Sequence, residues 1–326
     1  MSMILLARYA ECIFWFARYV ERAENLARIL DVQETFSRDN RGQQNWLSVI
    51  QINADEERFK EAYGEEISAE TVIRFYLTDM KNPSSIQSSI RAARENARTL
   101  RPLISTEMWS QLNIFYNRLR ELTEADATPH RLPQLCVWIK EACQAHTGIT
   151  EGTFYRDQGW YFYQLGRLIE RADQTTRIVD IKYHHLLPSV ADVGSPVDVA
   201  QWNALLRSAA GYHAYRRKHP SGMKAETVAG FLLLDDFFPR SVRSCVQEAD
   251  RLLLEMRTRF NLRGGGAALE TLDELRAVLG GKSIRDIVRA GLHEFNDMIQ
   301  MQLGGVTNDL AHDFFGGALQ DLAGAA

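Results

Sequence analysis

The segment Arg18–Asp31, RYVERAENLARILD, returns near mid-chain as Arg167–Asp180, RLIERADQTTRIVD, and this internal echo constrains the fold more than any other feature. Arg18, Glu21, Arg22, Ala23, Arg28, Ile29 and Asp31 have identical counterparts. Val20/Ile169, Glu24/Asp173, Asn25/Gln174 and Leu30/Val179 are conservative exchanges. At about 100° per helical residue, Tyr19, Val20, Ala23, Leu26, Ala27 and Leu30 share one apolar face. Arg18, Glu21, Arg22, Asn25 and Arg28 lie opposite, interleaved with Phe14, Trp15 and Ile29. A merely solvated face would rarely carry three such large apolar groups, so both sides of this helix are expected to be covered. The period is too long for a solenoid repeat. It points instead to an internal duplication, or to two equivalent positions in one bundle.

The chain of 326 residues is 45% hydrophobic and 25% charged, which is ample for a sizeable core. A net charge of −4 and a pI near 6.1 lack the global basic footprint of non-specific nucleic-acid binding. No apolar run approaches the roughly 18 residues of a membrane span, and the apolar start of MSMILLARYAE is too short for a secretory core. The expected setting is therefore cytoplasmic, with neither nucleic acid nor membrane as partner. Cys12, Cys136, Cys143 and Cys245 show no CxxC spacing and fall within apolar helical patterns. Buried thiols are expected rather than a disulfide frame or a zinc site.

Helical periodicity dominates and Val/Ile/Thr-rich alternation is almost absent. The expected fold is all-α, a large multi-helix bundle with two equivalent Glu-Arg helices. Those helices should run from about Ser2 to Arg38 and from about Asp157 to Leu187. Further helices are expected near Asn45–Ala62, after Ser68, after Ser84, and at Ser105–Leu122, Leu132–Ala145, Ala225–Leu234, Arg240–Phe260, Ala267–Leu279 and Ser283–Leu303. Another should carry Trp202, Leu205, Leu206 and Tyr212. Gly148, Gly152 and Thr153 read as the break before the second signature helix, and Pro188–Pro196 as the main linker. One helical domain would span 1–303, with internal halves at 1–150 and 151–303. The Gly/Ala-rich tail, 304–326, has too little apolar periodicity to pack firmly.

A third charged stripe, Arg91, Arg94, Glu95, Arg98 and Arg101, repeats the spacing of Arg18, Glu21, Arg22, Asn25 and Arg28 with its pair inverted. Oppositely ordered pairs can satisfy one another across a helix interface, so this stripe is expected to face a Glu-Arg stripe. The candidate site residues are thus Arg18, Glu21, Arg22, Arg91, Arg94, Glu95, Arg98, Arg167, Glu170 and Arg171. With Arg28, Arg101 and Arg177 added, arginine far outnumbers glutamate in the three stripes. Such a surplus cannot stay buried and unpaired. Either acids such as Asp31, Asp173 and Asp180 fold in, giving an ion network that fixes helix register, or the site receives an anion held by arginine forks.

No other motif identifies chemistry. A di-metal carboxylate bundle would need Glu-x-x-His pairs, and none occurs. His184 and His185 are adjacent and would point apart on a helix, and Cys143 with His146 has no matching second pair. Gly281-Lys282-Ser283 resembles the end of a phosphate loop but lacks both the preceding strand and the required first glycine. No metal and no cofactor is expected.

Several pieces together resemble the alpha-E family, a bacterial all-helical family named for its Glu-Arg motif. They are both Glu-Arg helices, Asn82-Pro83-Ser84-Ser85, Ala93-Arg94-Glu95-Asn96-Ala97-Arg98, Arg156 with Trp160, Ala214-Tyr215-Arg216-Arg217, and Phe231–Leu234 leading to Phe238-Pro239-Arg240-Ser241. The resemblance implies a partner of a circularly permuted ATP-grasp ligase, with a transglutaminase-like peptidase as a second partner. The expected role is a helical accessory or peptide-binding subunit of a system that makes or modifies peptide or amide bonds. The alternative is an enzyme performing acyl or aminoacyl transfer in an Arg/Glu-lined pocket.

Overall fold

In the computed structural model, residues 5–39, 46–185 and 196–316 are described. Among the described residues there are fifteen α-helices, a single 3-10 turn at Glu124–Asp126, and no strand. The first half carries α1 (Ala7–Asp39), α2 (Leu47–Ile52), α3 (Glu56–Tyr63), α4 (Ala69–Leu77), α5 (Ile86–Thr99), α6 (Thr106–Arg120) and α7 (Leu132–Thr153). The second carries α8 (Gln158–His185), α9 (Pro196–Ser208), α10 (Tyr212–Lys218), α11 (Ala225–Leu234), α12 (Val242–Phe260), α13 (Gly266–Gly281), α14 (Ile284–Ala290) and α15 (Leu292–Phe314). None of these is long and apolar enough to cross a membrane.

Local sequence explains five of the fifteen helix starts among the described residues. Ser68, Ser85, Ser105, Ser241 and Ser283 each accept a hydrogen bond from a backbone N–H in the first turn of the helix that follows. Each such cap contributes about 1 kcal/mol. Other expected boundaries move. The run Asn45–Ala62 divides into α2 and α3 because Ala54 turns left-handed (φ 53°), a conformation its side chain does not advertise. Gly148 and Gly152 lie inside α7 with open space beside them; the buried stripe Cys136, Ile139, Cys143, His146 and Thr150 carries the helix past them. Gly291 (φ 117°) splits the expected Ser283–Leu303 helix into α14 and α15. Tyr212 opens α10 instead of extending α9. The tail is also shorter than expected, because Leu303, Val306, Leu310 and Ala311 form a buried stripe that prolongs α15 across Gly304 and Gly305 to Phe314. Most of the expected linker Pro188–Pro196 lies outside the described residues.

Two long helices form the axis of the bundle. Helix α1 packs against α8, α5, α7 and α9, while α8 packs against α1, α12, α15 and α2. Contacts climb both helices together, from Leu5 with Gln158, through Phe14 with Gly166, to Arg18 with Glu170. The two signature helices therefore run parallel. Both faces of α1 are covered, since Phe14, Ile29 and Leu30 are buried on it together with Glu21, Glu24, Asn25 and Arg28. The crossing is close because Gly166 has no side chain: a Cβ there would stand 2.4 Å from the carbonyl oxygen of Phe14. Its counterpart in the first motif is Ala17, also small and buried.

Candidate functional site

The glutamate of each motif is held by the arginine of the other. Arg171 donates from Nε and Nη2 to the two oxygens of Glu21, both at 2.8 Å. Arg22 donates to Glu170 in the same two-pronged way, at 2.6 and 3.1 Å. Arg18 adds a third bond to Glu170 at 2.7 Å, and Arg240, just before α12, adds one to Glu21 at 3.1 Å while also pairing with Glu24. Glu21 and Glu170 are buried, with 2% and 0% exposure. Burial alone would raise their pKa values. The guanidiniums of Arg171 and Arg240 outweigh it and hold Glu21 well below the ordinary carboxylate range. Arg22 and Arg18 likewise bring Glu170 to about 2. Both carboxylates are therefore locked in their ionised form.

The symmetry continues one turn further along each helix. Arg28 pairs with Glu24, and its counterpart Arg177 pairs with Asp173, in both cases four residues apart. Asn25 donates to Glu21 at 3.0 Å, and Gln174 to Glu170 at 3.5 Å. Arg28 also donates to the carbonyl of Ser208, the last residue of α9, while Arg177 donates to that of Ile52, the last residue of α2. The helix following each motif thus presents its C-terminus to an arginine of the other copy.

This arrangement absorbs most of the charge surplus. Seven guanidiniums, those of Arg18, Arg22, Arg28, Arg167, Arg171, Arg177 and Arg240, share five carboxylates, those of Glu21, Glu24, Glu151, Glu170 and Asp173. The α2 and α9 C-termini each add a share of negative charge, up to about half a charge for a long helix. Arg240 is the least compensated member. Burial, with Arg171 and Arg28 nearby, holds it at about 10 despite Glu24 and Glu21.

The third stripe does not join the network, and the expected facing of Arg94-Glu95 with a Glu-Arg stripe is not found. Arg94 donates to Asn113 of α6 at 2.7 Å and pairs with its own neighbour Glu95, which also meets Arg98 at 3.4 Å. Arg94 and Arg101 stack over the Trp109 ring, and Arg91 is exposed. The face of α5 turned inward, toward α1, is the apolar stripe Ile86, Ile90, Ala93 and Ala97. That stripe carries enough apolar area to decide orientation, which inverted charge order does not. Of the acids expected to fold in, Asp173 does so; Asp31 pairs instead with Lys140, and Asp180 with Asn296 and His293. Sequence reasoning missed Glu24, Glu151 and Arg240 as members. Glu24 was legible, because an acid four residues before an arginine occurs in both copies.

The other weighed motifs stay separate. His146 is buried beside Gln111 at 3.1 Å, and burial lowers it to about 4. Burial raises the Cys143 thiol well above its ordinary value. All four cysteines are free thiols. His184 and His185 close α8, and their side chains lie outside the described residues. A cleft of about 960 Å³ lies between α3, α4 and the end of α6, lined by both signs of charge, including Arg58, Arg74, Lys81, Glu61, Asp79 and Glu124.

The family called Alpha-E, described as a predicted alpha-helical domain with a conserved ER motif, matches residues 5–315. The chain belongs to the Alpha-E family. The match extends to the end of α15, in accord with the packed Gly304–Phe314 segment. Among curated relatives, this Alpha-E chain is 24% identical over 291 residues to the uncharacterized protein Mb2597 of Mycobacterium bovis and to the uncharacterized protein MT2643 of Mycobacterium tuberculosis. The alignment covers 82% of this chain but 31% of each relative, so the chain spans about a third of the length of the curated relatives it matches. No solved structure matches it.

Proposed function

We propose that this Alpha-E chain is a helical accessory module that binds a peptide, or a ligase partner, in an ATP-grasp-linked system forming or modifying amide bonds. The observation that carries this reading is the double clamping of both motif carboxylates. Glu21 and Glu170 are buried, ionised and clamped by two guanidiniums each. A general acid or base needs a pKa near the working pH and access to substrate; these carboxylates have neither. Acyl transfer in the Arg/Glu pocket, the competing reading, loses its reacting group. The motif instead fixes two helices at one register and leaves recognition to the surface.

Two further observations support a module working with partners. The matched region makes up 31% of the curated relatives, so the same domain occurs joined to additional chain. The cleft beside α4 offers basic and acidic groups around Tyr63 and Phe75, which suits an extended peptide segment. Affinity purification under gentle conditions, read by mass spectrometry, tests the proposal. Near-stoichiometric recovery of an ATP-grasp ligase or a transglutaminase-like peptidase is expected, and Lys81→Glu in the cleft should reduce it. Recovery of neither overturns the reading.

A further inference from the structure

The duplication allows the chain to be compared with itself. Asp31 ends the first motif and Asp180 ends the second. Asp31 receives the ammonium of Lys140, from α7, at 2.7 Å. Asp180 is more deeply buried, at 2% exposure, yet no lysine or arginine pairs with it among the described residues. Its neighbours come from α15. Asn296 donates to its Oδ1 at 2.6 Å, and His293 Nδ1 stands 3.4 Å from its Oδ2. A second carboxylate, Asp297, stands 3.4 Å from His293 Nε2. Where the first copy places a cation, the second adds another acid.

We propose that Asp180, His293 and Asp297 bind one divalent first-row metal ion, Zn2+ or Mn2+, at the seam between α8 and α15. One ligand atom from each residue lies within 4.8 Å of the others. The 3.4 Å separations exceed the 2.7–2.9 Å typical of charge-assisted N–H···O bonds. The His293 Nδ1–Asp180 Oδ2 separation matches the edge of a tetrahedron around an ion with ligands at about 2.0–2.1 Å, roughly 3.3–3.4 Å, and Asp297, which stands beside the opposite ring nitrogen, turns its exposed side chain to reach the same ion. His293 and Asp297 are four residues apart, so one face of α15 presents both to the same point.

A further observation points to an electrophile at this seam. Asn296 is fully buried, with its amide nitrogen on Asp180 and, among the described residues, no hydrogen-bond partner for its Oδ1. An amide turns over with little change of shape, so with an ion at Asp180 this oxygen can take the place of the donating nitrogen and serve as a fourth ligand. One imidazole with carboxylate and amide oxygens suits Zn2+ or Mn2+ better than soft, thiolate-seeking ions. The ion has a way in, because the His293 and Asp297 side chains are 35% and 57% exposed.

Titration of the metal-stripped, tag-free full chain with ZnCl2 and with MnCl2 tests the site by calorimetry and thermal shift. One equivalent of at least one ion is expected to bind and to raise the Tm. Asp297→Asn and His293→Ala, at partly exposed positions, should weaken that binding at least tenfold with helix content unchanged by circular dichroism. His312→Ala, at an exposed histidine also next to an aspartate, should leave it intact. Absence of saturable binding by either ion overturns the proposal, as does binding undiminished in folded Asp297→Asn and His293→Ala.

Discussion

Arg171 grips Glu21 with two parallel hydrogen bonds of equal length, 2.8 Å, across the contact between α1 and α8. Removing the carboxylate leaves Arg171 and Arg240 facing each other in the core. Glu21→Gln is therefore expected to destabilise the protein by about 3–5 kcal/mol in urea denaturation. A double-mutant cycle with Arg171→Met should give a coupling of about 1–3 kcal/mol. The corresponding cycle with Arg94, which bonds to α6, should give none. Additive effects for Glu21 and Arg171 would sink the reciprocal clasp.

Gly166 sets how closely the two motifs approach. A methyl group there meets the Phe14 carbonyl at 2.4 Å, and backbone cannot swing aside as a side chain does. Gly166→Ala should cost about 1–3 kcal/mol as overpacking, although alanine is ordinarily the better helix former. Gly148→Ala, with open space beside it, should be neutral or stabilising. Equal effects at the two sites would show that the approach distance is not limiting.

The exposed stripe should behave differently from the buried ones. Arg98 is 69% exposed and its partner Glu95 47%, a setting in which ion pairs contribute little. Arg98→Ala should change the unfolding free energy by less than about 0.5 kcal/mol. A loss comparable to that of Glu21→Gln would mean that α5 has a role in the network after all.

Acid should weaken the fold in two windows. Buried His146 stays neutral to about pH 4, whereas the unfolded histidine takes a proton near 6.5. Stability therefore falls as the pH drops from 6.5 toward 4. Glu170, held at about 2 against an ordinary 4.5, contributes stability fully present above 4.5 and lost as the pH falls toward 2. Denaturation curves from pH 8 to 3 should show both declines. His146→Gln should flatten the upper one and Glu170→Gln the lower, and a free energy independent of pH would contradict both assignments.

The helical class and the double-sided burial of α1 were legible because periodicity and interleaved aromatics are local properties. That the Glu-Arg copies meet was legible from their equivalence. Partner choice was not. The stripe on α5 matches the motif in charge, yet Ile86, Ile90, Ala93 and Ala97 decide which way it faces. The carbonyls of Ser208 and Ile52 neutralise arginines through helix ends that carry no distinguishing letter. Ala54 breaks a helix with a residue that usually builds one. Asp180 and His293 are far apart in the chain, so their meeting is a tertiary fact.

The parallel placement of α1 and α8 sets the order in which the chain can finish folding during its synthesis. Glu21 finds its partners 150 and 219 residues later, on Arg171 and Arg240. At about 5–20 residues per second, translation leaves α1 incomplete for on the order of ten seconds or more. Throughout that interval Glu21 keeps only its bond from Asn25 within the same helix, and the cost of burying it without a guanidinium works against early collapse around this ridge. A nascent chain that stops before Arg171 lacks the guanidinium that clamps Glu21, so the clasp between the two motifs closes only after the second has been made.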